Sequence, residues 1–257
     1  MAMRPEFAQQ VLSPHWPIPA SVRALTTLRG PLGCSQAPFA HLNLGTRCGD
    51  CGDVHANRTL LREQAQLPSA PCWLQQVHGT TAHRFDGGGL KAGDEPQADA
   101  AVTAIPGQVL AILTADCLPV AFAAADGSEV AIAHAGWRGL CNGVLEATVQ
   151  AMATVPGHVV AWLGPAAGPR HYEVGAEVRD AFIGRDRVAE QAFSATRPGH
   201  WLCNLYQLAR QRLHAQGISR IYGGEYCTIS DPGRFFSHRR DGRSGRMASL
   251  IWIAPER

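Results

Sequence analysis

Short apolar runs bounded by Gly, Pro, Asp and Asn punctuate most of the chain, and few stretches carry a helical period. Residues 22–27, 73–77, 100–104, 109–114, 119–124 and 130–133 are such runs, the pattern of strands in a buried sheet. Segments 159–163, 218–222 and 247–253 read the same way. Helical character is confined to a few places. Residues 57–66 combine good helix formers with an Asn57 cap and Pro68 just beyond, and Val144, Leu145, Thr148, Val149 and Met152 share one helical face behind an Asn142 cap. Segments 176–183 and 205–213 complete the set. Loops at 29–33 and 42–53 are rich in turn residues, and neither an internal repeat nor a low-complexity linker divides the chain. A single domain of mixed α+β class over residues 1–257 is the expectation.

Composition narrows this only slightly. With 46% hydrophobic and 17% charged residues in a 257-residue chain, a disordered protein and a charged coiled coil are both excluded. The formal net charge of +2 argues against a general polyanion trap, so charge is informative only locally. Residues 1–20 carry Arg4, Glu6 and several prolines in place of a secretory apolar core. The most apolar stretch, 109–125, is interrupted by Asp116 and Pro119 and is too short for a spanning helix. A cytoplasmic location is therefore expected, with the cysteines at 34, 48, 51, 72, 117, 141, 203 and 227 as reduced thiols. The Cys48-Gly49-Asp50-Cys51 pair has no second pair and no redox-fold context, and reads as coincidence.

Three segments place a reactive side chain where an apolar strand gives way to glycine or proline. They are Gln76-Val77-His78-Gly79, Thr114-Ala115-Asp116-Cys117-Leu118-Pro119, and Ala133-His134-Ala135-Gly136-Trp137-Arg138-Gly139. Strand ends beside such turns lie at a sheet rim, where sites are commonly built. If they converge, two imidazoles and one thiolate match an open zinc site with a fourth position for water or substrate. Spacing alone also fits three unrelated residues, two hydrogen-bonded histidines and a buried cysteine. Asp116 can shuttle a proton or cap the turn before Cys117.

These motifs, together with Phe235-Phe236-Ser237-His238-Arg239-Arg240-Asp241 and Gly245-Arg246-Met247-Ala248-Ser249, resemble the laccase-domain family. That family was long described as multicopper polyphenol oxidases and is understood as purine nucleoside phosphorylases. The resemblance runs from about Thr26 to Ile253, the motif-bearing part spanning roughly residues 22–253. It implies a layered α+β sandwich without a Rossmann core, and a zinc cofactor with copper as the weaker alternative. It also implies phosphorolysis of adenosine, inosine, guanosine and methylthioadenosine, and deamination of adenosine. The implied partners are a purine nucleoside and inorganic phosphate, with no membrane or nucleic acid; the oligomeric state stays open, a monomer included.

Matched residue by residue, the resemblance makes His78, Cys117 and His134 metal ligands and gives Cys117 and Asp116 catalytic roles. Asn43, Arg58, Arg240 and Arg246 become substrate or phosphate contacts, arginine supplying fixed bidentate donors. Arg234, Arg239 and Arg243 are read as solvated surface residues. The chain departs from the family pattern in its longer, prolinated loop Thr27 to Ser35, in His238 where tyrosine is usual, and in Asn204 where aspartate is usual.

Three other functions fit parts of the sequence. A multicopper oxidase needs His-x-His pairs, and none of the eleven histidines is two residues from another. Cys117 as a nucleophile with His134 as base would make a hydrolase or amidase, for which the family resemblance implies peptidoglycan precursors as substrate. The arginine-rich segment 234–246 suggests a nucleic-acid face, but its Phe235 and Phe236 read as strand residues.

Overall fold

The computed structural model describes residues 3–50, 54–87 and 94–255. Its elements run α1 (Pro5–Ala8), β1 (Val11–Leu12), β2 (Val22–Thr27), α2 (Val54–Gln64), β3 (Ala82–Arg84), β4 (Ala100–Thr103), β5 (Leu110–Thr114), β6 (Leu118–Ala124) and β7 (Val130–Ala135). Then follow α3 (Trp137–Asn142), α4 (Val144–Ala151), β8 (Val159–Leu163), β9 (Glu173–Gly175), α5 (Ala176–Arg185), β10 (Phe193–Arg197) and β11 (His200–Cys203). The chain ends with α6 (Leu205–Ala215), β12 (Arg220–Gly223), α7 (His238–Asp241) and β13 (Met247–Ile253).

Two sheets carry the core. One has the order β12-β8-β6-β7-β4-β3 and the other β1-β2-β13-β5. All pairings are antiparallel except β12 with β8 and β3 with β4, so no run of parallel crossovers forms a Rossmann core. Every residue of β6, β7 and β13 is buried. Both faces of these strands are covered, which is why their sequences read as continuous apolar runs without alternation. Ala121, Ala123 and Ile132 of the first sheet meet Leu110, Ile112 and Ile251 of the second. On the outer face of the first sheet, Val120 and Phe122 pack under Leu145 and Val149 of α4 and Leu208 of α6. Leu61 of α2 covers Leu25, Ala111 and Leu250 on the outer face of the second. The result is the expected α+β sandwich, helix, sheet, sheet, helix. Among the described residues no helix is long and apolar enough to cross a membrane.

Several sequence expectations are corrected. Residues 73–77 form no strand; the backbone pairs only through isolated bridges at Gln75 and, just before the segment, at Cys72. The Gln76 side chain explains this, because its amide both donates to the Leu113 carbonyl and accepts from the Leu113 N–H, acting as a strand residue would. Asn57 does not cap its helix. The helix begins at Val54, and the buried Asn57 amide instead donates to Ser35 and to the carbonyls of His41 and Asn43. Asn142 ends one helix and does not begin the next. Gly143, at φ +105°, adopts a left-handed turn that splits the segment into α3 and α4. Phe235 and Phe236 are not strand residues but loop residues buried against Met247. Missed altogether was the sheet β10-β11-β9, whose β10 is mostly exposed and carries no apolar rhythm.

One buried carboxylate pins a loop between the sheet and α4. Glu129, only 3% exposed, accepts from the Ala153 N–H, from the Thr154 N–H and hydroxyl, and from Arg84. Burial opposes its charge, but these donors outweigh it and hold its pKa below the ordinary glutamate value. A carboxylate with a depressed folded pKa contributes stability above its unfolded value and loses it as pH falls through the folded one. Glu129→Gln should therefore cost about 2 kcal/mol at neutral pH, with a smaller penalty in acid, read as melting temperature against pH.

Candidate metal centre

The site sits where β6 and β7 open. In their antiparallel register Leu118 faces Ala135 and Pro119 faces His134, so Cys117, one residue before β6, is held beside the end of β7. His78 reaches the same point from the 76–79 loop, which Gln76 fastens to β5. The donor atoms of His78, Cys117 and His134 all lie within 4.8 Å of one another. Cys117 Sγ is 3.8 Å from His78 Nε2, and the two imidazoles meet edge to face with centroids 4.8 Å apart. Tetrahedral zinc with one sulfur and two nitrogen ligands places those atoms roughly 3.3–3.6 Å apart. The three side chains therefore fit one ion with small rotations.

Asp99, which the sequence reading did not single out, organises the cluster. It is fully buried just before β4, and its carboxylate accepts from the N–H groups of Val77, His78 and Gly79. It also bonds His134 Nδ1 at 2.8 Å, which turns Nε2 toward Cys117. One carboxylate thus positions two of the three ligands, as partners behind metal-binding histidines commonly do. Burial opposes its charge, yet these bonds keep the Asp99 pKa below the ordinary aspartate value.

The electrostatics favour a charged pair. Burial would raise the Cys117 pKa, but His134 and His78 together pull it down to about 6. Burial would lower that of His134, yet the neighbouring thiolate and Asp99 push it up to about 9. Cys117 is thereby prepared as thiolate, the form that ligates metal and attacks electrophiles.

Local backbone geometry is unusual at two of these corners. His78 and Asp116 have φ of +60° and +89°, a left-handed conformation that residues other than glycine seldom hold. Asp116 is fixed by Thr228 Oγ1 on one carboxylate oxygen and by the Arg239 N–H on the other, each at 2.6 Å. Both oxygens are used by the chain itself, so the side chain holds the turn that presents Cys117. Gly136 closes the site from behind, where a Cβ would stand 2.9 Å from Cys117 Sγ and 3.0 Å from His78 Cδ2.

The expected substrate contacts also bond groups of the chain. Asn43 is fully buried, with its side chain bonded to Gly45, Asp50 and the Arg246 N–H. Arg58 pairs with Glu95 at 2.9 Å and lies over Trp73. Arg240 bonds both oxygens of Asp241 and the carbonyls of Thr228 and Phe235. Arg246 donates to the carbonyls of Ser244 and Gly245. Arg239, read as a solvated residue, is exposed but lies over Tyr172 beside the cluster. Cys48, Cys72, Cys117, Cys141, Cys203 and Cys227 are free thiols, and Cys51 lies outside the described residues.

Known proteins share this arrangement of chain. Residues 23–254 match the family described as multi-copper polyphenol oxidoreductase laccase. A Xylella fastidiosa protein named purine nucleoside phosphorylase is 57% identical over 96% of this chain and 98% of its own. The Escherichia coli K12 purine nucleoside phosphorylase YfiH is 49% identical over 95% and 99%. A Neisseria meningitidis crystal structure, 43% identical, superposes with a TM-score of 0.89 over 96% of this chain and 100% of that one. YlmD from Geobacillus stearothermophilus, 32% identical, gives 0.80 over 92% and 93%. With its motifs, fold and length all matched, the chain belongs to the laccase-like polyphenol oxidoreductase family, several of whose members carry the name purine nucleoside phosphorylase.

Proposed function

We propose that the chain is a zinc-dependent purine nucleoside phosphorylase that also deaminates adenosine. The observation carrying this reading is the convergence of His78, Cys117 and His134 on one point, with the buried ligand His134 aligned by Asp99 and the exposed ligand His78 facing solvent. Adenosine, inosine, guanosine and methylthioadenosine are its substrates, with inorganic phosphate as co-substrate. In phosphorolysis a phosphate oxygen bonds to the anomeric carbon as the carbon–nitrogen bond to the base breaks. The electron pair leaves with the purine, which takes up a proton, and a sugar phosphate is released.

When bound, zinc supplies a Lewis acid and an acidified water for the deamination arm. His78, Cys117 and His134 would hold it, and Asp99 keeps His134 in the ligating tautomer. Asp116 positions Cys117 through its turn. We assign Asn43, Arg58, Arg240 and Arg246 to holding the loops around the site. Among the described residues no second group of three or more His, Cys, Asp and Glu converges.

Phosphate-dependent release of base from a purine nucleoside, lost with a chelator and restored by zinc, is the expected result. Base release that persists without phosphate or without metal would refute it. The thiolate character of Cys117 favours one second reading, a Cys–His amidase editing peptidoglycan precursors. Stoichiometric alkylation of Cys117 by iodoacetamide in the metal-replete protein would select that reading, whereas protection by metal supports the first.

A further inference from the structure

The arginines expected from the sequence to grip phosphate each bond groups of the chain, and a further set of guanidinium groups lines a separate cavity. A cavity of about 420 Å³ lies beside the metal cluster, lined by Trp137, Arg138, Tyr172, Arg197, His200 and Arg239 among others. Two of its lining residues adjoin the cluster through the backbone. Trp137 follows Gly136, which abuts Cys117, and the Arg239 N–H donates to Asp116.

Two of the guanidinium groups are shaped for an oxyanion. Arg138 is exposed and lies over the Trp137 ring at 4.4 Å, and among the described residues it makes no hydrogen bond or ion pair. Arg239 lies over Tyr172 at 4.8 Å. One of its terminal nitrogens donates to the Glu173 carbonyl, and its remaining guanidinium donors have no protein partner among the described residues. Stacking fixes each fork in orientation, so less side-chain freedom is lost on gripping a ligand. The two carboxylates of the cavity do not cancel this charge. Glu173 is occupied by Thr196 and Arg197, and three arginines outnumber it and Glu177. The volume falls in the range that encloses a small polar ligand.

We propose that Arg138 and Arg239 form a two-pronged oxyanion site that takes inorganic phosphate and releases the phosphate end of the sugar product. This rests on the phosphorylase reading for its purpose, but not for its test. Binding of inorganic phosphate to the metal-loaded protein is measured by calorimetry, and the KM for phosphate and for inosine by steady-state turnover. Arg138→Ala and Arg239→Ala should each weaken phosphate binding about tenfold and the pair together about a hundredfold. The KM for phosphate should rise in parallel while that for inosine stays within about threefold. Arg138→Lys should recover part of the loss, because it keeps the charge without the fork. Arg187→Ala, an exposed arginine at the start of the 3-10 turn Arg187–Ala192, controls for net charge. Native-like phosphate affinity in the double variant, or no phosphate binding by the native protein at millimolar concentration, overturns the site. Phosphate binding that depends on both arginines in a protein without phosphorolysis keeps the site and removes the phosphorylase reading. Phosphorolysis with an unchanged KM for phosphate in the double variant does the reverse.

Discussion

Cys117→Ala should abolish metal binding and lower kcat/KM by about a thousandfold or more, the loss expected when several kcal/mol of transition-state stabilisation disappears. Cys117 is the single sulfur donor of the cluster, and the two remaining imidazoles, one of them exposed, form a weak chelate. Metal content by elemental analysis should fall from about one equivalent to a small residue. The fold should survive, because the residue lies at a strand end and packs against Gly136 and His78 without filling the core. Melting temperature therefore separates the two effects. Cys117→Ser, which keeps the shape but offers a hard hydroxyl, should behave nearly as badly. A variant that keeps both its metal and its turnover would exclude Cys117 as a ligand.

The second large effect is predicted at a residue that touches no substrate. Asp99→Ala removes the acceptor of three consecutive backbone N–H groups and of His134 Nδ1 at once. Stranded buried donors cost about 1–3 kcal/mol each, and some can find water because the loop rim is open, so a net loss of about 3 kcal/mol is expected. Metal affinity should fall about ten- to a hundredfold as His134 loses its orientation. Asp99→Asn separates the two. It preserves volume but keeps only one of the two acceptor oxygens, so stability should recover in part while metal affinity stays low, because an amide nitrogen against Nδ1 does not hold the imidazole in the ligating tautomer as a carboxylate does. Chemical denaturation and competitive metal titration of the two variants decide it. Equal metal affinity in Asp99→Asn and the native protein would show that the carboxylate serves the loop alone.

Much of this architecture is legible in the sequence for physical reasons. Strands such as β6, β7 and β13 are covered on both faces, and burial writes itself as an uninterrupted apolar run. The ligands are legible because each ends such a run beside a glycine or proline. Asp99 is illegible because its role depends on contacts with residues 77–79 and 134, which no local pattern announces. The same blindness applies to arginines. Arg240 is bonded to the chain through all three guanidinium nitrogens, whereas its neighbour Arg239 makes one such bond and stands beside the cluster; only the backbone path distinguishes them. Gln76 misled in the opposite sense, since a side chain imitating a strand leaves the apolar run of a strand without its ladder.

The unequal anchoring of the three ligands also bears on how long an ion stays. Cys117 and His134 adjoin the central, fully buried hairpin, whose amides open only when most of the domain does. His78 stands on a short surface segment whose neighbour Val77 is 48% exposed, and it is tied down chiefly by one carboxylate and one glutamine. An ion held by the three side chains should therefore exchange through the lifting of that segment, with a residence time that follows its opening rate and not the stability of the whole molecule.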